Sequence, residues 1–303
     1  MKAPARRAAA AALVLAVLCA GRVAGGTRAA ALGIEVPTLG LLPDYMTDEA
    51  MLDIRDNLHA EYVRTGWIPD WIYREQRHHR AWRQEDRTMH EICKVGLRMM
   101  VIVPGPRNDA RGEDDLLTNV EAFFTRYQRR EPGCIRWAEI ANEADLPANG
   151  FQDVTQYAHY YARVAPIVAS FGVPVITTGI SGFDRPWTAA LADLLGSMPS
   201  PPPLAGYGFH PYGTPAGSLK LAIDDLRYDG RGRDVYVTEI GRSKASELYD
   251  TIVALAHVTP AITIYTYRAA PRENPQYSLT DNPELYAAVQ RAWADALATP
   301  RAP

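Results

Sequence analysis

A strand-then-helix rhythm, repeated eight times, constrains this chain more than any other feature. Short apolar runs fall at Leu32–Val36, Glu61–Arg64, Leu97–Val103, Ile135–Ala141, Val173–Thr178, Leu204–Phe209, Asp234–Thr238 and Ala261–Thr266. Several are continuous rather than alternating, the pattern of strands covered on both faces of a parallel sheet. Helical patterns fill the gaps. Thr47 can cap a helix that opens on Asp48 and Glu49 and turns Met51, Ile54 and Leu58 to one face. Val120, Phe123, Phe124 and Tyr127 repeat the i, i+3, i+4, i+7 spacing, as do Tyr157, Tyr160, Tyr161 and Val164. Pro186 and Pro283 can open helices, and Ser243 can cap one lined by Leu248, Ile252 and Leu255. Such alternation means parallel βαβ units. Eight units in about 270 residues make a single (β/α)8 TIM barrel of class α/β, here spanning 31–297. An open doubly wound sheet is the rival, but the first turn, Pro37-Thr38-Leu39-Gly40, carries no phosphate-binding glycine pattern.

The first residues stand apart. Lys2, Arg6 and Arg7 precede an unbroken apolar run from Ala8 to Ala20, and small residues follow at Gly21, Ala24, Gly25 and Gly26. A membrane span needs roughly 20 apolar residues. The run therefore reads as a secretory signal ending near residue 26 rather than as a retained anchor. Lipid attachment at Cys19 is disfavoured by Leu18, where a small residue is expected. The expectation is an exported, periplasmic or extracellular protein with no stable membrane insertion after processing. Losing Lys2, Arg6, Arg7 and Arg22 with a leader that ends near residue 26 moves the formal charge from −3 to −7, which is not the balance of a partner for nucleic acid or anionic membranes. Cys93 and Cys134 fit either a disulfide in an oxidising compartment or two buried thiols. No CxxC and no Cys/His cluster with zinc spacing occurs. His78 and His79 lie in a charged run, Arg74 to Arg87, that reads as a solvated helix surface.

Barrel enzymes carry their working groups at the carboxyl ends of strands. Strand two ends at Arg64, strand four at Asn142-Glu143, strand six at His210 followed by Pro211-Tyr212, and strand seven at Glu239. Strand eight carries Tyr265 and Tyr267, expected on one face. Glu35 ends strand one, where a structural role is favoured over substrate binding. Carboxylates at the ends of strands four and seven face one another across a closed barrel mouth. Glycosidic cleavage needs such a pair: one carboxyl protonates the leaving oxygen, and a second, about 5–5.5 Å away, attacks the anomeric carbon.

Trp137-Ala138-Glu139-Ile140-Ala141-Asn142-Glu143 resembles the strand-four motif of clan A glycoside hydrolases. Val235-Tyr236-Val237-Thr238-Glu239-Ile240-Gly241 resembles that clan's strand-seven motif, Tyr207-Gly208-Phe209-His210-Pro211-Tyr212 its strand-six element, and Tyr62-Val63-Arg64-Thr65-Gly66-Trp67 its strand-two element. The resemblance runs from about Gly33 to Tyr286 and is closest to family 39. It implies Glu143 as acid/base, Glu239 as nucleophile, Asn142 on the substrate 2-hydroxyl, and Tyr212 or His210 beside the nucleophile. Arg64 would hold Glu239 ionised. The chain departs from the clan in having Ala144 after the acid/base, Ala141 before the asparagine, and Tyr265 where a strand-eight tryptophan is usual.

The reading is a retaining glycosidase acting on O-glycosyl bonds of an oligo- or polysaccharide, as a monomer and without metal or organic cofactor. Trp67 and Trp71 can stack on sugar or cover the rim. A catalytically inactive carbohydrate-binding barrel is the alternative. A metal-dependent hydrolase would need a His-x-His near the end of strand one, and residues 32–45 hold no histidine.

Overall fold

The computed structural model describes residues 29–39, 43–66, 80–106, 112–271 and 273–299. Eight parallel strands close into a barrel in sequence order. They are β1 (Ala31–Glu35), β2 (Tyr62–Gly66), β3 (Arg98–Val103), β4 (Ile135–Ile140), β5 (Val175–Ser181), β6 (Gly206–His210), β7 (Asp234–Ile240) and β8 (Ala261–Ile264). Among the described residues the helices are α1 (Asp48–Asp56), α2 (Arg80–Lys94), α3 (Gly112–Arg130), α4 (Val154–Ser170), α5 (Arg185–Ser197), α6 (Ala216–Asp229), α7 (Ala245–Leu255) and α8 (Pro283–Ala298). None of them is long and apolar enough to cross a membrane. The leader expected at residues 1–26 lies outside the described residues.

The helix faces read from sequence are the buried ones. Val120, Phe123, Phe124 and Tyr127 are covered, as are Tyr157, Tyr160, Tyr161 and Val164, and Leu248, Ile252 and Leu255. Thr47 caps α1, its hydroxyl accepting from Ala50 N at 3.3 Å. Ser243 does not cap α7. That helix starts at Ala245 with Lys244 at the cap position and no side-chain cap. β5 and β7 run three and two residues further than their apolar patterns, because Gly179 to Ser181 and Glu239-Ile240 keep pairing with their neighbours. β8 stops two residues short of the expected end, at Ile264. Cys93 and Cys134 form a disulfide, tying the end of α2 to the residue before β4.

Alternate residues of each strand point into the barrel. The interior near the amino ends of the strands is an apolar plug of Ala31, Tyr62, Met100, Trp137, Ile176, Tyr236 and Ala261. Trp137 meets Tyr62 and Tyr236 edge-on, with ring centroids 5.2 and 5.9 Å apart. A Cβ on Gly33 would lie 2.2 Å from the Tyr62 ring, so the glycine makes room for it. Two residues further along these strands the inward side chains become polar: Arg64 after Tyr62, Glu139 after Trp137, Thr178 after Ile176 and Thr238 after Tyr236.

Candidate active site

Arg64 is the hub. It has no exposed surface, yet it bonds four side chains. Its Nε donates to Glu139 Oε2 at 2.7 Å, its Nη1 to Glu35 Oε2 at 2.5 Å and to Glu239 Oε2 at 2.7 Å, and its Nη2 to Asn142 Oδ1 at 2.5 Å. Strand register prepares one of these contacts, since Glu35 lies beside Arg64 across β1–β2; Glu139 is in register with Ile102 of β3 and Gly66 of β2, two residues past Arg64, and the long guanidinium side chain spans that offset.

Glu139 is fully buried and accepts three hydrogen bonds besides facing His210 at 3.8 Å. The donors are Arg64 Nε, Gly179 N at 2.8 Å and the Thr238 hydroxyl at 2.9 Å. Burial alone would raise its carboxyl. The Arg64 charge and hydrogen bond, with the nearby His210, outweigh burial and lower it to about 2.

His210 bridges the polar layer. Its Nδ1 lies 3.1 Å from Glu143 Oε1 and its Nε2 3.1 Å from the Thr238 hydroxyl. Because that hydroxyl donates to Glu139, it accepts from Nε2–H, and Nδ1, facing Glu143, is where a second proton would make the ring an imidazolium. Burial disfavours that charge, but Glu239, Glu139 and Glu143 overcome it and raise the ring to about 9, against opposition from Arg64. A Cβ on Gly179 would lie 2.1 Å from His210 Nε2, so only glycine leaves space for the ring.

Glu143 and Glu239 open toward the mouth, with side chains 21% and 12% exposed. His210 Nδ1 is 3.1 Å from Glu143 Oε1 and 4.0 Å from Glu239 Oε2. Those two oxygens are therefore at most about 7 Å apart, the sum of the two distances. Tyr212 donates its hydroxyl to Glu239 Oε1 at 2.8 Å. Burial raises the Glu239 carboxyl, while the His210 and Arg64 charges and the Tyr212 hydrogen bond prevail and lower it. The same burial and the Glu239 charge raise the Tyr212 phenol.

The chain leaves β4 through two left-handed residues that flank Asn142: Ala141 at φ 65° and Glu143 at φ 46°. Such conformations cost about 1–3 kcal/mol each and persist where surroundings over-determine them. Here Ala141 N donates to Val103 O, Glu143 N to Gly179 O and Ala144 N to the Thr178 hydroxyl, so β3 and β5 hold the turn from both sides.

Of the residues singled out from sequence, Arg64, Asn142, Glu143, His210, Tyr212 and Glu239 converge within hydrogen-bonding reach of one another. Arg64 and His210 have no surface for a ligand to touch, so their influence passes through the carboxyls they hold. Tyr265 follows β8 and is half-buried beside Tyr277, with centroids 6.2 Å apart. It does not share a face with Tyr267, which turns outward, is buried and donates to Asp53 Oδ2 of α1. Trp67, Trp71, His78 and His79 lie outside the described residues. Glu139 and Tyr277 were not singled out from sequence. Tyr277 stands 6.2 Å from both Tyr212 and Tyr265 and completes an aromatic rim. Among the described residues no group of three or more His, Cys, Asp and Glu side chains is placed to hold a metal ion.

Compared with family models and with curated protein sequences, the chain finds no match in either. Solved structures do match. A monomeric beta-xylosidase from Caulobacter crescentus superposes with a TM-score of 0.70 at 13% identity, over 88% of this chain and 68% of that one. A GH5_18 protein from Streptomyces cattleya, in complex with GlcNAc, gives 0.66 at 14% identity over 92% and 83%. A GH30 endoxylanase from Clostridium papyrosolvens gives 0.61 at 15% identity over 89% and 73%. The fold is that of glycoside hydrolase barrels. It is shared with families 39, 5 and 30, the grouping that the strand-end motifs resemble.

Proposed function

We propose that this protein is a retaining glycoside hydrolase that cleaves O-glycosidic bonds of an oligo- or polysaccharide. One observation carries the reading: two partly open carboxyls, from β4 and β7, approach the same His210 nitrogen at 3.1 and 4.0 Å. Glu239 is the nucleophile. Arg64 and Tyr212 hold it ionised and aim one oxygen each. Its carboxylate attacks the anomeric carbon while Glu143 gives a proton to the departing glycosidic oxygen. A water, deprotonated by Glu143, then attacks the same carbon and releases Glu239. A separation of at most about 7 Å is compatible with the close spacing of double displacement. Asn142 spends its oxygen on Arg64, which leaves its amide N–H for the substrate 2-hydroxyl. Tyr265, with Tyr277, supplies an aromatic wall in place of a tryptophan.

Export as a monomer fits this chemistry, and the Cys93–Cys134 disulfide supports an oxidising compartment. Glu239→Ala should abolish turnover, and azide should restore a product of inverted configuration. Wild-type activity in that variant ends the assignment. The tyrosine at the end of β8 favours a second reading, sugar binding without cleavage. Glycan binding by calorimetry with no product after long incubation would select it.

A further inference from the structure

One carboxyl in the mouth has no part in the two-step reaction. Glu35 ends β1, its side chain is 16% exposed, and its Oε2 shares Arg64 Nη1 with the Glu239 carboxylate, at 2.5 and 2.7 Å. Those two carboxylate oxygens are at most about 5 Å apart, the sum of the two distances. Among the described residues its other oxygen, Oε1, has no protein partner. Arg64 does not need it for neutrality, because Glu139 and Glu239 already pair with the same guanidinium. A third carboxyl on one buried cation is a costly arrangement for structure alone.

Resting on the hydrolase reading, we propose that Glu35 is a substrate-binding group whose free oxygen holds the 3- or 4-hydroxyl of the sugar seated against Glu239. Asn142 lies on the Nη2 side of Arg64 and takes the 2-hydroxyl, whereas Glu35 lies on the Nη1 side next to the nucleophile. The ring between them presents its next hydroxyls to Glu35. Backbone contacts hold the end of β1 in place, with Glu35 O accepting from Tyr267 N at 2.9 Å and from the Thr266 hydroxyl at 3.0 Å. The charged and titratable groups facing the carboxyl are Arg64 from β2, His210 from β6, Glu239 from β7, and the phenols of Tyr212 and Tyr265. Burial and the Glu239 charge exceed the pull of Arg64 and raise Glu35 to about 8. When protonated it can donate that proton to a sugar oxygen, and on losing it becomes a second anion beside the nucleophile.

The test uses 4-nitrophenyl β-D-xyloside, β-D-glucoside and β-D-galactoside, with the 3-deoxy and 4-deoxy analogues of whichever is handled best. The readout is kcat/KM, or the calorimetric Kd where binding occurs without turnover. Glu35→Ala should weaken the parent about 10- to 100-fold, the value of a hydrogen bond to an ionisable group. The loss should shrink to under about 3-fold on one of the two deoxy analogues, because the contact is already missing there. Glu35→Gln should recover part of the loss and move the alkaline limb of the pH profile above that of the wild type. Equal losses on the parent and both analogues would mean that Glu35 acts only through Arg64, and would overturn the assignment. So would Glu35 variants that match the wild type on all three while Glu239→Ala is dead, an outcome that leaves the hydrolase reading standing. A wild type that neither cleaves nor binds any of the three glycosides overturns both.

Discussion

The barrel interior is made of two materials. Toward the amino ends of the strands it is a plug of interlocked rings and aliphatic side chains; toward the carboxyl ends it is a lattice of charges with almost no water-facing surface. In each layer a glycine clears space for a ring, Gly33 for Tyr62 in the plug and Gly179 for His210 above it. The layers differ in what an error costs. A misfit in the plug loses contact area, which neighbours can partly recover. Removing one charge from the lattice leaves its partners buried and uncompensated. The lower layer thus carries stability, while the upper one spends stability on holding charges in place for the proposed chemistry.

The largest expected effect tests that claim directly. Glu139→Ala should destabilise the fold by about 3–5 kcal/mol in chemical denaturation, because Arg64 loses its fully buried partner. A loss below about 1 kcal/mol would mean that the lattice is far better solvated than its burial indicates. Next come the paired glycines. Gly33→Ala and Gly179→Ala should each cost about 1–3 kcal/mol through overpacking. Only Gly179→Ala should also lower kcat, since it pushes His210 away from Glu143. Equal effects on kcat would erase the distinction between the layers. Smaller still, Tyr62→Phe removes the 2.8 Å hydrogen bond to Thr263 within the plug, and should cost about 1 kcal/mol with turnover unaltered. Tyr212→Phe, its counterpart above, should leave stability within about 1 kcal/mol while lowering kcat, because the proposed nucleophile loses a donor.

Acid and base should act on the upper layer in opposite senses. Glu139 is depressed from 4.5 to about 2, so its contribution is present above pH 4.5 and is lost as pH falls toward 2. His210 is raised from 6.5 to about 9, so its contribution is full below pH 6.5 and is lost as pH rises through 9. Glu35, raised from 4.5 to about 8, holds its proton more tightly when folded and costs stability progressively as pH rises between those values. The melting temperature should therefore fall from pH 6 to pH 9, and Glu35→Gln should flatten that fall. A profile identical to wild type would remove Glu35 from the account.

The barrel was legible because eight buried strands leave eight apolar runs, and local sequence is enough to see a run. The strand-end carboxyls were legible for a related reason: a charged residue closing an apolar run has little to do but face the mouth. Glu139 was harder. It sits inside such a run, and what makes it tolerable there is Arg64, 75 residues away, a partner that exists only once the sheet closes. Tyr277 ends a single 3-10 turn, Pro275–Tyr277, too short for any periodicity to show in the sequence. It reaches the rim because the chain after β8 folds back, Thr266 N donating to Tyr277 O and Leu279 N to Thr266 O. The extra length of β5 and β7 escaped for the opposite reason: Gly179, Ser181 and Glu239 are poor strand formers by type, and tertiary pairing overrides that preference. The pairing of Cys93 with Cys134 depends on three-dimensional proximity that spacing alone does not encode.

That sulfur bridge closes a loop spanning the end of α2, β3 and α3, at the foot of the barrel and away from the mouth. Its main influence falls on the unfolded chain, which it deprives of conformations. Redox surroundings during synthesis should accordingly govern how many molecules mature, while specific activity per matured molecule stays constant. A preparation from a reducing host would then show less of the proposed activity per milligram while each matured molecule is unchanged, and active-site titration rather than total protein is the proper denominator.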